Sequence, residues 1–147
     1  MTAGKFLFTI GLAALPALAA CSKGEKTPAA DTAQPASSVA GGEVKPGPGG
    51  KVIVIEQISD EKSNRFEPNE VEAHRGDVLR FTLKVGVHNV DFLPDSNPGK
   101  VGLPKASDML QLPGQTFDVL VNFAPGTYYF QCDPHAALGM HGHLKVE

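Results

Sequence analysis

In the stretch VLRFTLKV, Leu79, Phe81, Leu83 and Val85 occupy one parity, while Arg80, Thr82 and Lys84 occupy the other. A period of two puts the apolar side chains of an extended chain on one face and the polar ones on the opposite face. The same residues on a helix would be scattered around its circumference. Such a strand needs a second layer to cover its apolar side. The segments at 51–58 (KVIVIEQI), 70–74, 87–93 (VHNVDFL), 115–123 (QTFDVLVNF), 127–132 (TYYFQC) and 143–147 (HLKVE) also read as short strands. In them Val71 and Ala73, then Phe117, Val119 and Val121, then Tyr128, Phe130 and Cys132, share parities. Gly, Pro, Asn and Asp punctuate the intervals, and Gly76-Asp77 is a turn. Residues 94–113 read as loop, with a short helical turn at 106–109. No segment has the spacing of an amphipathic helix. Short strands at intervals of about ten residues imply an all-β sandwich.

The N-terminus has a different character. MTAGKFLFTIGLAALPALAAC begins with a positive region, continues as an apolar run from Phe6 to Ala20 and ends in small residues. The run contains Pro16 and is shorter than the roughly twenty residues a membrane-spanning helix requires. It reads as a secretory signal peptide over 1–20. LAAC resembles the lipobox of bacterial lipoproteins, which implies cleavage before Cys21 and lipidation of its sulfur. The expected location is the periplasmic side of a bacterial membrane. Residues 22–50 contain no Phe, Tyr, Leu or Ile and end in a Pro/Gly cluster. Residues 21–50 are therefore read as a lipidated cysteine and a disordered tether. The folded domain is expected over 51–147.

The chain has two cysteines and three methionines. With Cys21 carrying lipid, Cys132 has no disulfide partner in an oxidising compartment, and a lone thiol there is an oxidation hazard unless something holds it; a Cys21–Cys132 disulfide is the alternative. Its neighbourhood supplies a reason. CDPHAALGMHGH places Cys132, His135 and Met140 at C-x2-H-x4-M spacing. Pro134 stiffens the first gap, and Gly139 allows a tight bend before Met140. One loop does not easily supply a whole coordination sphere. A donor from a distant strand would close it, and His88 is the natural candidate. Two imidazoles, a thiolate and a weak axial thioether form the donor set of blue-copper electron-transfer sites. His141 and His143 share a strand face and read as solvent-facing, with a surface metal site as the alternative. His74 reads as exposed, and Met109 as packing or surface.

At these residues the chain resembles the plastocyanin-like cupredoxins. GTYYFQCDPHAALGMHG, Gly126 to Gly142, matches that family's G-x-Y-x-F-x-C-x-P-H-x4-M-x-G. The pair His88-Asn89 and the segment FEPNEVEAHRGDVLRF are similar to other parts of its pattern. The resemblance covers nearly all of 51–147. It implies a Greek-key cupredoxin β-sandwich, one type 1 copper bound by His88, Cys132, His135 and Met140, and one-electron shuttling rather than enzymatic catalysis. It also implies that Asn89 fixes the ligand loop by hydrogen bonds. The electron port would be the edge of His135, ringed by Pro134, Ala136, Ala137 and Leu138. Leu103 and Pro104 are candidates to extend that patch.

The charge balance narrows the partners. From Lys51 onward there are nine Lys/Arg and thirteen Asp/Glu, a net of −4. That gives no basis for nucleic-acid binding. Mild acidity suits a basic redox partner such as a c-type cytochrome, with a membrane oxidoreductase as the other class. A monomer is expected. A periplasmic copper chaperone or scavenger using the same ligands is the competing function. A multicopper enzyme would need a further domain and more histidines.

Overall fold

The computed structural model describes residues 38–40, by their backbone, and 43–147. The signal peptide and Cys21 lie outside the described residues. Among the described residues, eight strands form two sheets: β1 (Ser38–Ala40), β2 (Val52–Ser59), β3 (Asn64–Glu67), β4 (Glu70–Ala73), β5 (Val78–Val85), β6 (Thr116–Leu120), β7 (Gly126–Gln131) and β8 (His141–Val146). The larger sheet has the order β1-β6-β5-β2-β3, and the smaller has β4-β8-β7. β2 runs parallel to β5, and β4 parallel to β8. Among the described residues, no helix is long and apolar enough to cross a membrane.

The period-two reading of β5 holds for Leu79, Phe81 and Leu83, all fully buried. It fails at Val85, which is 54% exposed because the strand ends there and the chain turns away at Gly86. Phe66 (from β3), Phe81 (β5) and Phe130 (β7) meet edge to face, with ring centroids 5.1–5.8 Å apart. Each such aromatic pair adds about 0.5–1.5 kcal/mol beyond simple burial. The cluster bridges the two sheets and closes the apolar face that β5 presents.

Three segments differ from the sequence reading. Residues 87–93 do not form a strand. They make two isolated bridges, His88 with Leu110 and Asp91 with Gln131. Residues 106–109 are not helical, because their backbone is committed elsewhere. Ser107 donates its N–H to the Val90 carbonyl at 2.9 Å, and its hydroxyl oxygen accepts the Val90 N–H at 2.9 Å. The short helical turns are instead 3-10 turns at Pro94–Ser96 and Asp133–Leu138.

The third difference is the N-terminal boundary. The composition of residues 21–50 predicts a disordered tether, yet β1 pairs antiparallel with β6, Ser38 opposite Val119 and Ala40 opposite Phe117. The Val44 N–H donates to Asp118 Oδ2 at 2.9 Å, and the Gly47 N–H donates to the Gly76 carbonyl at 2.8 Å. Ordered chain therefore reaches into that segment. Pairing at a sheet edge uses backbone groups that every non-proline residue carries, so an apolar-poor composition does not reveal it.

The fold brings two strand ends together. β5 of one sheet and β7 of the other run out at the same pole, and the Asp91–Gln131 bridge joins the chain beyond β5 to the end of β7. His88 lies three residues beyond β5. Cys132 follows β7 directly, and the turn at Asp133–Leu138 leads through Gly139 and Met140 into β8.

Candidate metal centre

The Cys132 sulfur lies 3.6 Å from His88 Nδ1 and 3.4 Å from His135 Nδ1, and the two Nδ1 atoms are 3.2 Å apart. Among the described residues, these three are the one set whose possible ligand atoms from His, Cys, Asp or Glu all lie within 4.8 Å of one another. Cys132 and His88 are fully buried, and His135 is half-buried. Met140 is also fully buried. Its N–H donates to the His135 carbonyl at 3.1 Å, and its carbonyl accepts the Cys132 N–H at 3.1 Å. The loop is thus stitched across its own mouth by backbone bonds between the residues of interest.

Local sequence explains the loop's shape. Pro134 sits at the start of the 3-10 turn, where its missing N–H costs nothing. Gly139 ends the turn at φ +89°, a left-handed conformation that a side chain disfavours. Asn89 then ties this loop to the His88 segment. Its side-chain nitrogen donates to Asp133 Oδ2 at 2.7 Å, and its side-chain oxygen accepts the Asp133 N–H at 2.8 Å. Gln131 extends the network, donating to Asp133 Oδ1 at 3.0 Å and accepting from the Tyr129 hydroxyl at 3.0 Å.

The protonation of the cluster shows which ligand it suits. Burial pushes the Cys132 thiol above its ordinary range, and the nearby Asp133 carboxylate pushes the same way. The backbone N–H groups of Asn89 and His135, aimed at the sulfur, oppose that rise. Burial pulls His88 below the ordinary imidazole range; the Val85 carbonyl opposes that fall, and His135 adds to it. Without a cation, burial therefore favours a neutral His88 and a protonated Cys132. Their lone pairs converge on one small volume, where only a positive centre can balance them. A soft cation reverses the preference of the thiol and takes the His88 lone pair as it stands. Sulfur with two imidazoles fits copper. Zinc sites rarely recruit a methionine, and this Cys/His count is short for a closed structural zinc site.

The surface around His135 consists of exposed Pro134, Ala137 and Leu138, with Ala136 half-buried. Leu138 is 67% exposed. Leu103 and Pro104 do not extend this patch outward: Leu103 packs against the core, and Pro104 is buried. The other histidines stand apart. His141 stacks on Tyr129, with centroids 5.6 Å apart, and His143 Nδ1 lies 2.8 Å from Glu70 Oε1 across the β4–β8 pair. His74 is exposed, 3.6 Å from a Glu147 carboxylate oxygen. Met109 is at the surface, 38% exposed.

Two features of the centre carried no signal in the sequence reading. Asp133 is the loop's partner for Asn89. Ser59, in β2, places its hydroxyl oxygen 3.1 Å from His88 Nε2. Ser59 is 29 residues from His88, and no spacing rule connects them.

Comparison with known proteins agrees with this geometry. A family described as copper binding proteins, plastocyanin/azurin family, matches residues 53–147. The plastocyanin of Oryza sativa subsp. indica is 42% identical over 84 residues, covering 55% of this chain and 54% of that protein. The plastocyanin of Prochlorothrix hollandica is 35% identical over 98 residues, covering 65% of this chain and 72% of its relative. The chain thus spans about half the length of the plant relative and more of the second. Among solved structures, a mutant fern plastocyanin aligns over 65% of this chain and 100% of its own, with 31% identity and a TM-score of 0.51. A Cu(I) form of a mutant amicyanin aligns over 75% of this chain and 91% of its own, with 26% identity and a TM-score of 0.50. With the match extending from β2 to the last residue, across both sheets and the Cys132–Met140 loop, the chain belongs to the plastocyanin/azurin family of copper-binding proteins.

Proposed function

We propose that this protein is a single-electron carrier that holds one type 1 copper through His88, Cys132, His135 and Met140. The observation that carries this reading is the convergence of the Cys132 sulfur and the two imidazole Nδ1 atoms within 4.8 Å, at a buried pole of the sandwich. Copper in this donor set exchanges one electron at a time between Cu(I) and Cu(II), whose preferred geometries differ. The chain's part is to allow little movement. The Asn89–Asp133 pair locks the loop to the His88 segment, and the bonds of Met140 to Cys132 and His135 close it. A centre whose donors are held by the fold reorganises little when charge changes, and that makes exchange fast.

His135 bridges interior and surface. Its Nδ1 faces Cys132 while the ring is half-buried among Pro134, Ala136, Ala137 and Leu138. Small apolar neighbours let a partner come close at little desolvation cost. The net of −4 from Lys51 onward favours a basic partner, for which a c-type cytochrome is the first choice and a membrane oxidoreductase the second. Lipid at Cys21 would hold the carrier on the periplasmic side of a bacterial membrane.

The test is to load the purified protein with Cu(II) and record its visible and EPR spectra. Intense thiolate-to-copper charge transfer and narrow copper hyperfine splitting are expected. Survival of that band in Cys132→Ala would sink the proposal. Copper release to a chelator, measured beside electron exchange with a cytochrome, separates a carrier from a chaperone. Fast release with sluggish exchange would favour the chaperone.

A further inference from the structure

The back of the His88 ring is more elaborately held than a single ligand contact requires. Its Nε2 lies 3.1 Å from the Val85 carbonyl oxygen and 3.1 Å from Ser59 Oγ. A carbonyl only accepts, so Nε2 carries the ring proton and Nδ1 presents a bare lone pair toward Cys132 and His135. Ser59 Oγ is also 2.5 Å from Asn64 Oδ1, directly opposite it in the β2–β3 register. The Asn64 oxygen takes the serine proton. That leaves the Ser59 oxygen as an acceptor toward His88, so the imidazole N–H is shared between two acceptors.

The chain makes room for this arrangement. Gly86 has φ +104°, and a Cβ there would lie 2.6 Å from Ser59 Oγ and 2.7 Å from His88 Nε2. Any side chain at 86 would occupy the contact itself. Three separated positions, Ser59 in β2, Asn64 in β3 and Gly86 after β5, thus converge on one nitrogen.

We propose that Ser59, oriented by Asn64 and admitted by Gly86, is a positioning residue that reinforces the His88 tautomer set by the Val85 carbonyl and tunes the reduction potential of the metal centre. A second acceptor on Nε2–H raises electron density on the ring and makes Nδ1 a stronger donor. A stronger donor favours Cu(II) over Cu(I) and lowers the potential. The proposal rests on the copper reading above for its redox consequence, but the tautomer and the hydrogen bond belong to the protein alone.

The experiment compares the parent protein, Ser59→Ala and Ser59→Thr. In the metal-free protein, nitrogen-15 NMR reads the His88 tautomer and the exchange of its Nε2–H with water. The parent should carry the proton on Nε2 and exchange slowly. Ser59→Ala should exchange faster, with the N–H resonance shifted, and Ser59→Thr, which keeps the hydroxyl, should restore the parent behaviour. In the copper-loaded proteins, outer-shell partners of this kind typically change metal affinity by 10–100-fold. A differential loss of about tenfold for Cu(II) over Cu(I) raises a one-electron potential by about 59 mV. Ser59→Ala should show a rise of that order, absent in Ser59→Thr. A proton on Nδ1 in the parent overturns the proposal. So does a Ser59→Ala protein whose N–H exchange and potential both match the parent. Should the parent take up no Cu(II), the copper reading fails, and the NMR comparison still decides whether Ser59 holds His88.

Discussion

Strand β5 carries a buried polar cluster toward each end, and the two are built on opposite principles. In its N-terminal half, Arg80 lies opposite Asp118 of β6, and the guanidinium donates to both carboxylate oxygens at 2.9 and 2.7 Å. The same carboxylate accepts the Val44 N–H. Just before the strand, Asp77 accepts the Lys51 and His74 N–H groups at 2.8 and 2.9 Å. Every charge there meets its complement within the chain. Beyond the C-terminal end, His88, Cys132 and His135 bring three electron-donating atoms together, with no cationic side chain in the set. A closed cluster is complete as folded and stabilises the chain. An open one points to something the chain must acquire. Burial alone does not distinguish them; the sign of what converges does.

The comparison breaks most sharply with Cys132→Ala. The copper charge-transfer band should vanish entirely, as read by visible absorption. The metal-free protein should lose only about 1 kcal/mol for the buried sulfur, measured by urea unfolding. Asp118→Ala should do the reverse. It leaves Arg80, only 20% exposed, without its buried carboxylate and with only the exposed Glu43 carboxylate at 3.0 Å. Removing one partner of such a pair costs about 3 kcal/mol, read by the same unfolding curve, while the copper spectrum persists.

Asp77 sharpens the contrast through pH. Burial by itself would raise its carboxyl, but the N–H bonds from His74 and Lys51, with nearby positive charge, hold it below its ordinary value of 3.8. A group lowered in the folded state binds its proton more readily when unfolded. Its stabilisation is therefore present above that ordinary value and lost as pH falls through the folded one. Asp77→Asn should cost about 2 kcal/mol near neutrality and flatten the acid limb of stability against pH, followed by circular dichroism. The smallest effect is expected at Gln57 in β2, fully buried with neither side-chain polar atom meeting a protein hydrogen-bond partner. Gln57→Leu should raise unfolding stability by about 1 kcal/mol, with the copper spectrum unchanged.

The strands read from alternation appeared where the pattern ran long, as in β5 and β7. The reading failed where hydrogen bonding overrode it. Residues 87–93 have a strand's composition, but Gly86 turns the chain, and only His88 and Asp91 make bridges. Chain from Ser38 onward joins the fold by backbone pairing and by bonds to Asp118 and Gly76, none of which leaves a mark in apolar content. At the candidate centre the loop donors are legible because Cys132, His135 and Met140 lie in one short loop. His88 is legible as the histidine that follows the alternating strand β5. Ser59 and Gly86 are not, because a hydrogen bond between separate strands depends on register and ring orientation.

By itself the sequence determined the chemistry on offer. A sulfur and an imidazole at C-x2-H spacing, with a thioether five residues further on, are local facts of covalent order. They offer soft donors wherever the loop is placed. Alternation likewise determined that apolar faces must be covered by a second layer. Tertiary structure alone decided that His88, 44 residues before Cys132, turns Nδ1 rather than Nε2 toward the sulfur. The reason is that Nε2 is held from behind by Val85 and Ser59. An imidazole has two nearly equivalent nitrogens, and only neighbours fixed in space can choose between them.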